Sequence, residues 1–335
     1  MKILLAPDPA SPHGDDVFCR ELARRAPARG HEAAVASIPA SPGDGGAARL
    51  AAAGFAREAD AVLSNGFQAA SLLAARAAGK KSAVRLIDSF AEAPDGEFPA
   101  IRELLPQADR LLVPSRHLAR LVKSWDANAR VSFVPYAYDR VRAHQIALVT
   151  MRASRLADFQ IVVVSRFDAT CRQGLETLLA AAGRLRFDWH LTLVGTGPIA
   201  PSLQDRARQI LPADRVLFTG ALPHLKIMEF FRTANVYVEP AAADGFPAMS
   251  LYALAEGSPV VAPRAGAVTE LIADGANGLL FNPGDATSLS EALVTLRSVR
   301  GLSLQLISEG VKTAERHTWD ATITAALDAL EEMLR

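Results

Sequence analysis

Asp244 stands immediately before a glycine, an aromatic residue and an amphipathic run, in EPAAADGFPAMSLYALAEG from Glu239 to Gly257. The order reads loop, turn, helix, which sets a carboxylate beside a helix N-terminus. The backbone N–H groups of Gly245 and Phe246 at that helix start suit an anion or a developing negative charge. Gly14, in the loop after the first apolar run, lets backbone N–H groups approach a ligand, and the helix behind it favours an anion. Arg166 closes another apolar run, with Arg172 beyond it, and the guanidinium fork of each matches phosphate oxygens.

Gly195-Thr196-Gly197-Pro198-Ile199-Ala200 satisfies the G-x-G-x-x-A pattern of a dinucleotide fingerprint. It follows the second strand of its half, however, whereas that fingerprint belongs to the first strand–helix turn. Pro198 also suits the first turn of a helix. Nicotinamide chemistry is therefore not expected. There is no Ser-His-Asp arrangement, no zinc-type Cys/His spacing and no carboxylate cluster of the metal-binding kind, so no metal is expected.

The elements that must carry these residues alternate along the whole chain. Short apolar runs read as strands over 2–6, 33–37, 61–64, 83–87, 110–113 and 131–134, with helices between them, for example over 16–29 and 116–125. An arginine-rich stretch over 139–157 has no clear strand and reads as a connector. A second series follows over 160–164, 190–194, 216–218, 236–238, 259–262 and 278–281, with a helix opening near Val268. The run at 160–164 is apolar and β-branched, as a central buried strand requires. The chain closes on a helix over 320–334. This is the pattern of two doubly wound α/β halves, which place ligands at the carboxyl ends of their strands.

At 335 residues there is room for two domains. The expected division is 1–150, 151–318, and a last helix over 319–335 returning to the first domain. Cys19 and Cys171 give no disulfide framework, no run is long enough to span a membrane, and the start lacks a signal-peptide pattern, so a cytoplasmic protein is expected. Net charge is zero, but residues 101–157 hold ten basic residues against four acidic ones. That excess reads either as a solvated basic face or as a surface for an anionic acceptor or the inner face of a membrane. With 6% aromatic residues and no aromatic-interleaved basic patch, nucleic acid is not an expected partner.

These motifs together resemble the retaining GT-B glycosyltransferases of glycosyltransferase family 4. Arg29-Gly30-His31-Glu32 matches an R-G-H-E pattern, and Gly14 matches one glycine of a usual Gly-Gly pair, with Asp15 at the other. IVVVSRFDATCRQGLETLL resembles G-R-x-x-x-x-K-G-x-x-x-L-L, whose two cations hold the donor diphosphate. The resemblance gives those roles to Arg166 and Arg172, although the loop there is longer than usual. Gly195 belongs to V-G-x-G-P, and Gly220 and Leu222 to a loop that touches the nucleobase. Asp244-Gly245-Phe246 takes the place of E-G-F, with Asp244 beside the donor sugar. Gly266, Glu270, Asp274-Gly275, Gly278 and Pro283-Gly284-Asp285 match the G-G-x-x-E … D-G-x-x-G … P-x-D run.

The resemblance breaks at Tyr252, which stands where a second glutamate binds the ribose hydroxyls. A phenol cannot accept from both hydroxyls as a carboxylate can. Glu256, one turn further, lies deeper along the helix and is not expected to substitute. Glu239, where an apolar residue is usual, reads as a solvated or ion-paired strand end. Asn65 and Asp88 occupy places usually held by histidines on the acceptor side, and Asp88 is retained as a candidate polar group there.

The resemblance implies two Rossmann-like domains facing each other across a cleft. It further implies transfer of a hexose from a UDP- or GDP-linked sugar to an acceptor hydroxyl on a sugar, lipid or small molecule. Configuration would be retained and no metal or other cofactor used. The alternative is a non-catalytic or altered GT-B protein, an accessory subunit or ligand-binding module that lost the donor.

Overall fold

The computed structural model describes residues 1–7, 15–35, 58–66, 69–86, 103–138, 158–242 and 245–335. The chain divides into two compact units. Unit 1 holds Met1–Ala137, Asp244–Phe246 and Thr318–Arg335; unit 2 holds Tyr138–Ala243 and Pro247–His317.

Unit 1 is built on a parallel sheet of β1 (Lys2–Ala6), β2 (Glu32–Val35), β3 (Ala61–Asn65), β4 (Lys81–Arg85), β5 (Arg110–Val113) and β6 (Val131–Phe133), in the order β2-β1-β3-β4-β5-β6. The helices of this unit are α1 (Asp15–Arg25), α2 (Ala69–Ala77) and α3 (Arg116–Trp125). Sequence periodicity extends the first helix to residue 29. Instead α1 ends at Arg25 and tightens into a 3-10 turn, Ala26–Arg29, because Pro27 lacks the N–H an α-helix needs. Gly30, at φ +75°, then turns the chain into β2. Helix α3 starts at Ser115, whose hydroxyl accepts from Leu118 N–H, and it buries Leu118 and Val122.

Unit 2 is a second parallel sheet. Its strands are β7 (Phe159–Val164), β8 (Trp189–Val194), β9 (Val216–Gly220), β10 (Val236–Val238), β11 (Val260–Pro263) and β12 (Leu279–Phe281). Their order is β12-β11-β10-β7-β8-β9. The helices are α4 (Ala169–Ala182), α5 (Ala200–Ile210), α6 (His224–Thr233), α7 (Ala248–Ala255), α8 (Val268–Leu271), α9 (Ala286–Ser298) and α10 (Leu302–Ala314). Read from the other edge this is the Rossmann order, with its switch point between β7 and β10. The β7 run FQIVVV is buried almost throughout, as the centre of a sheet covered on both faces requires. Its core joins Ile161, Val163, Leu175, Leu178, Leu191, Leu193 and Leu293.

The last helix, α11 (Trp319–Leu334), belongs to unit 1. Thr318 caps it by accepting from Ala321 N–H. Ile323, Leu327 and Leu330 enter the unit 1 core with Leu5, Phe18 and Leu22. Polar pairs line the same seam: Arg25 with Asp320, Arg29 with Asp328 at 2.7 Å, and His31 with Glu331 at 2.8 Å. Among the described residues, no helix is long and apolar enough to cross a membrane.

Candidate functional site

Every pairing in the unit 2 sheet is parallel, so all of its strand carboxyl ends share one edge. Arg166, Gly195, Glu239 and the loop before Glu270 follow those ends, and Gly220 is the last residue of β9. Arg166 lies just beyond β7, with its Nε 3.3 Å from Asp168 Oδ2. Asp168 also caps α4, accepting from Thr170 N–H at 3.0 Å and from the Thr170 hydroxyl at 2.5 Å. One carboxylate thus fixes the helix start and tethers the arginine in front of it. The helix begins at Ala169, so Arg172 sits in its early turns rather than in a loop, with its guanidinium 3.6 Å from Glu176. Both arginines remain substantially exposed.

The glycines of G-T-G-P-I-A serve packing between two loops. Gly195 has φ +141°, and any Cβ there would strike the Ser165 carbonyl oxygen; a Cβ on Gly197 would strike the Phe167 carbonyl. Without side chains the loops after β7 and β8 join by main-chain bonds. Phe167 N–H donates to Thr196 O at 2.9 Å, and Ile199 N–H to Phe167 O at 3.0 Å. Next along the edge, Gly195 N–H donates to Gly220 O at 2.9 Å. The backbone of three successive strand ends is therefore fixed as one surface beside Arg166.

Tyr252, on α7, packs edge-on to His224 and Tyr138, with ring centroids 4.9 Å and 5.4 Å apart. His224 opens α6, just after half-buried Leu222. Glu256 is buried and engaged: the Tyr138 hydroxyl donates to Oε1 at 2.8 Å and Arg232 Nε to Oε2 at 2.5 Å. Glu270 lies exposed on the short helix α8.

Glu239 corrects the sequence expectation. It is neither solvated nor ion-paired among the described residues but buried, 7% exposed. The Ser250 hydroxyl donates to its Oε2 at 2.9 Å and the Tyr237 hydroxyl at 3.1 Å, and Ala241 N–H also serves the carboxylate. Burial outweighs these donors and pushes its pKa up to about 7. The free carboxyl value is 4.5. In the folded state the proton is therefore held more tightly than in the unfolded chain, so ionisation opposes folding. That cost is absent below pH 4.5, grows as pH rises, and is complete above about pH 7. Glu239→Gln, which mimics the neutral acid, should match the parent near pH 5 and exceed it at pH 8 by roughly 2–3 kcal/mol. Urea denaturation at the two pH values checks this, and parallel stability–pH curves would refute it.

Three expected site residues, Gly14, Asp88 and Asp244, lie outside the described residues. Gly245 and Phe246 group with unit 1. The Gly245 carbonyl accepts from the Ser115 hydroxyl at 2.9 Å, and the Phe246 ring stacks on Tyr136 at 4.9 Å with planes 7° apart. Asn65, at the end of β3, accepts from Arg85 Nη1 at 2.8 Å, and that buried guanidinium lies 4.2 Å over the Phe18 ring. Sequence reasoning missed Asp168, His224 and Arg85. An aspartate before a helical run is a capping signal that could have found the first; nothing local marks the other two.

Residues 158–298 match the family model described as Glycosyl transferases group 1. The matched region is similar to group 1 glycosyltransferases. It coincides with most of unit 2, the part that holds Arg166, Arg172 and the glycine loops. The D-inositol 3-phosphate glycosyltransferase of Acidothermus cellulolyticus is 31% identical over 173 residues, which is 50% of this chain and 38% of that protein. The match thus spans well under half of that relative's length. Among solved structures, sucrose-phosphate synthase from Thermosynechococcus elongatus superimposes with a TM-score of 0.78 at 19% identity, covering 99% of each chain. Anabaena HepE, solved in complex with UDP and glucose, gives 0.78 at 17% identity, covering 99% of this chain and 100% of that one. The fold is GT-B, with two Rossmann-like domains.

Proposed function

We propose that the protein is a glycosyltransferase that moves a hexose from a nucleotide-diphosphate sugar to an acceptor hydroxyl. The observation that carries this reading is the match of residues 158–298 to the group 1 model, with Arg166 and the Gly195 and Gly220 loops on the carboxyl edge of that same sheet. The switch point of a Rossmann-ordered sheet is where nucleotides bind. There Arg166 and Arg172 hold the diphosphate and offset the charge that builds on the leaving group. Leu222 and the loop after Gly220 border the base, Tyr252 the ribose, and Asp244 the sugar. Glu270, on α8 after β11, and Gly14 complete the donor side, and Asp88 serves the acceptor side. A UDP-bound relative of the same fold supports a nucleotide donor.

Retention of configuration and independence of metal belong to the same proposal, as do a UDP- or GDP-linked donor and a sugar, lipid or small-molecule acceptor. So does peripheral contact of the basic first domain with the inner face of a membrane.

The test is a thermal-shift panel of nucleoside diphosphates followed by Arg166→Ala. One nucleotide at about a hundred times its Kd should stabilise the protein by about 2.7 kcal/mol. Arg166→Ala should weaken that nucleotide by about tenfold to a hundredfold, the worth of charge-assisted bonds to phosphate. Silence across the panel would sink the proposal, and unchanged affinity in the variant would remove Arg166 from it. The anomeric proton coupling of the product, and turnover with and without EDTA, decide stereochemistry and metal use.

A further inference from the structure

Glu239 is a buried carboxyl that the donor chemistry above does not use. It follows β10, the strand that pairs with β7 at the sheet's switch point, and the register sets it level with Val164, two residues before Arg166. Three segments converge on it: β10 through Tyr237, the following loop through Ala241 N–H, and α7 through Ser250. A fourth lies against it, because the Pro240 carbonyl occupies the space where Gly174 of α4 would carry a Cβ. The titratable group facing it from α4 is Cys171, a neighbour of Arg172 in sequence, whose thiol is pushed up by burial and in part by the Glu239 charge. From β10 the group is Tyr237, raised well above its usual range by burial and by the same carboxylate. Ser250 from α7 adds no charge. Asp168, at the cap of α4, acts on Cys171. Among the described residues, no Lys, Arg or His forms an ion pair with Glu239.

Resting on the donor reading above, we infer that Glu239 is a positioning residue whose proton couples diphosphate binding to pH. In its neutral form it ties the loop after β10 and the start of α7 to the sheet and leaves the anion site at α4 without an opposing charge. In its ionised form it sets a buried negative charge one segment behind the arginines, where the local dielectric is low and repulsion reaches far. Linkage makes the effect reciprocal: a bound diphosphate holds the proton on Glu239 more tightly, and protonated Glu239 holds the diphosphate more tightly.

The experiment is calorimetric titration of UDP and GDP into the parent protein and Glu239→Gln from pH 6 to pH 8.5. The nucleotide's own phosphate titration is common to both proteins and cancels in the ratio of their Kd values. That ratio should be near one at pH 6 and rise to about ten at pH 8.5, the variant binding more tightly. Glu239→Asp, which keeps the charge, should retain the parent's dependence. Ser250→Ala removes a donor to the carboxylate and should move the midpoint to higher pH, which keeps the inference falsifiable if the Gln variant folds poorly. A ratio that stays flat, or a Ser250→Ala midpoint that does not move, overturns the role of Glu239 alone. Failure of UDP and GDP to bind either protein at any pH overturns the donor reading and this inference with it.

Discussion

Replacing Gly174 with alanine is expected to cost unit 2 about 4 kcal/mol or more of its stability, among the largest effects a single methyl can have. The added Cβ would fall inside the Pro240 carbonyl, and backbone there cannot swing aside as a side-chain tip would. To admit it, α4 must move off β10. That helix buries Cys171, Leu175, Leu178, Leu179, Ala181 and Ala182 against the sheet, so the shift opens the core along its length. Gly183, at the other end of the same helix, is the control. Its φ is −63°, and a methyl group added there would lie 3.5 Å from its nearest neighbour, ordinary van der Waals contact. Gly183→Ala should therefore be neutral within about 0.5 kcal/mol or slightly stabilising. Urea midpoints of both variants give the comparison, and a Gly174→Ala protein within about 1 kcal/mol of the parent would contradict this helix–sheet packing.

Glu256→Ala should cost about 3–5 kcal/mol, the penalty for removing one partner of a buried ion pair. The carboxylate at the end of α7 is 5% exposed and holds two groups from distant parts of unit 2, Tyr138 and Arg232. Truncation strands a buried hydroxyl and a largely enclosed guanidinium together. Glu256→Gln keeps the shape and an acceptor, so it should cost less, and Tyr138→Phe should cost about 1 kcal/mol, the net worth of one hydrogen bond. Because Tyr138 and His224 also flank Tyr252, Glu256→Ala should loosen the ring cluster as well. Loss of the near-ultraviolet tyrosine signal below the unfolding midpoint reports that. A cost of under about 1 kcal/mol for Glu256→Ala would mean that the pair is not formed in solution.

Glu239 and Glu256 show where local reading ends. The strands were legible because β-branched apolar runs such as FQIVVV carry their own burial pattern, and the sequence expectation for β7 differs from the structure by a single residue at its start. Arg166 was legible for the same reason: a charged residue that terminates such a run lies at a sheet edge. Glu239 was misread because VYVEP places a carboxylate at a strand end, and strand ends usually meet water. Its donor Ser250 arrives only when α7 folds back beside β10. Glu256 could be placed on a helix face, but its partners Tyr138 and Arg232 lie far off in sequence.

Local patterning along the chain was enough to set the alternation of strands and helices, the two halves, and the arginines and glycines at the strand ends. These follow from periodicity and backbone constraint, which act over a few residues at a time. Long-range packing set the strand order that brings β10, and Glu239 after it, beside β7 and Arg166, and the helix–sheet approach that leaves Gly174 no room for a methyl. It also determined which carboxylates are dry. Burial and its charge penalty depend on every segment packed around a group, and no local stretch of sequence contains that sum.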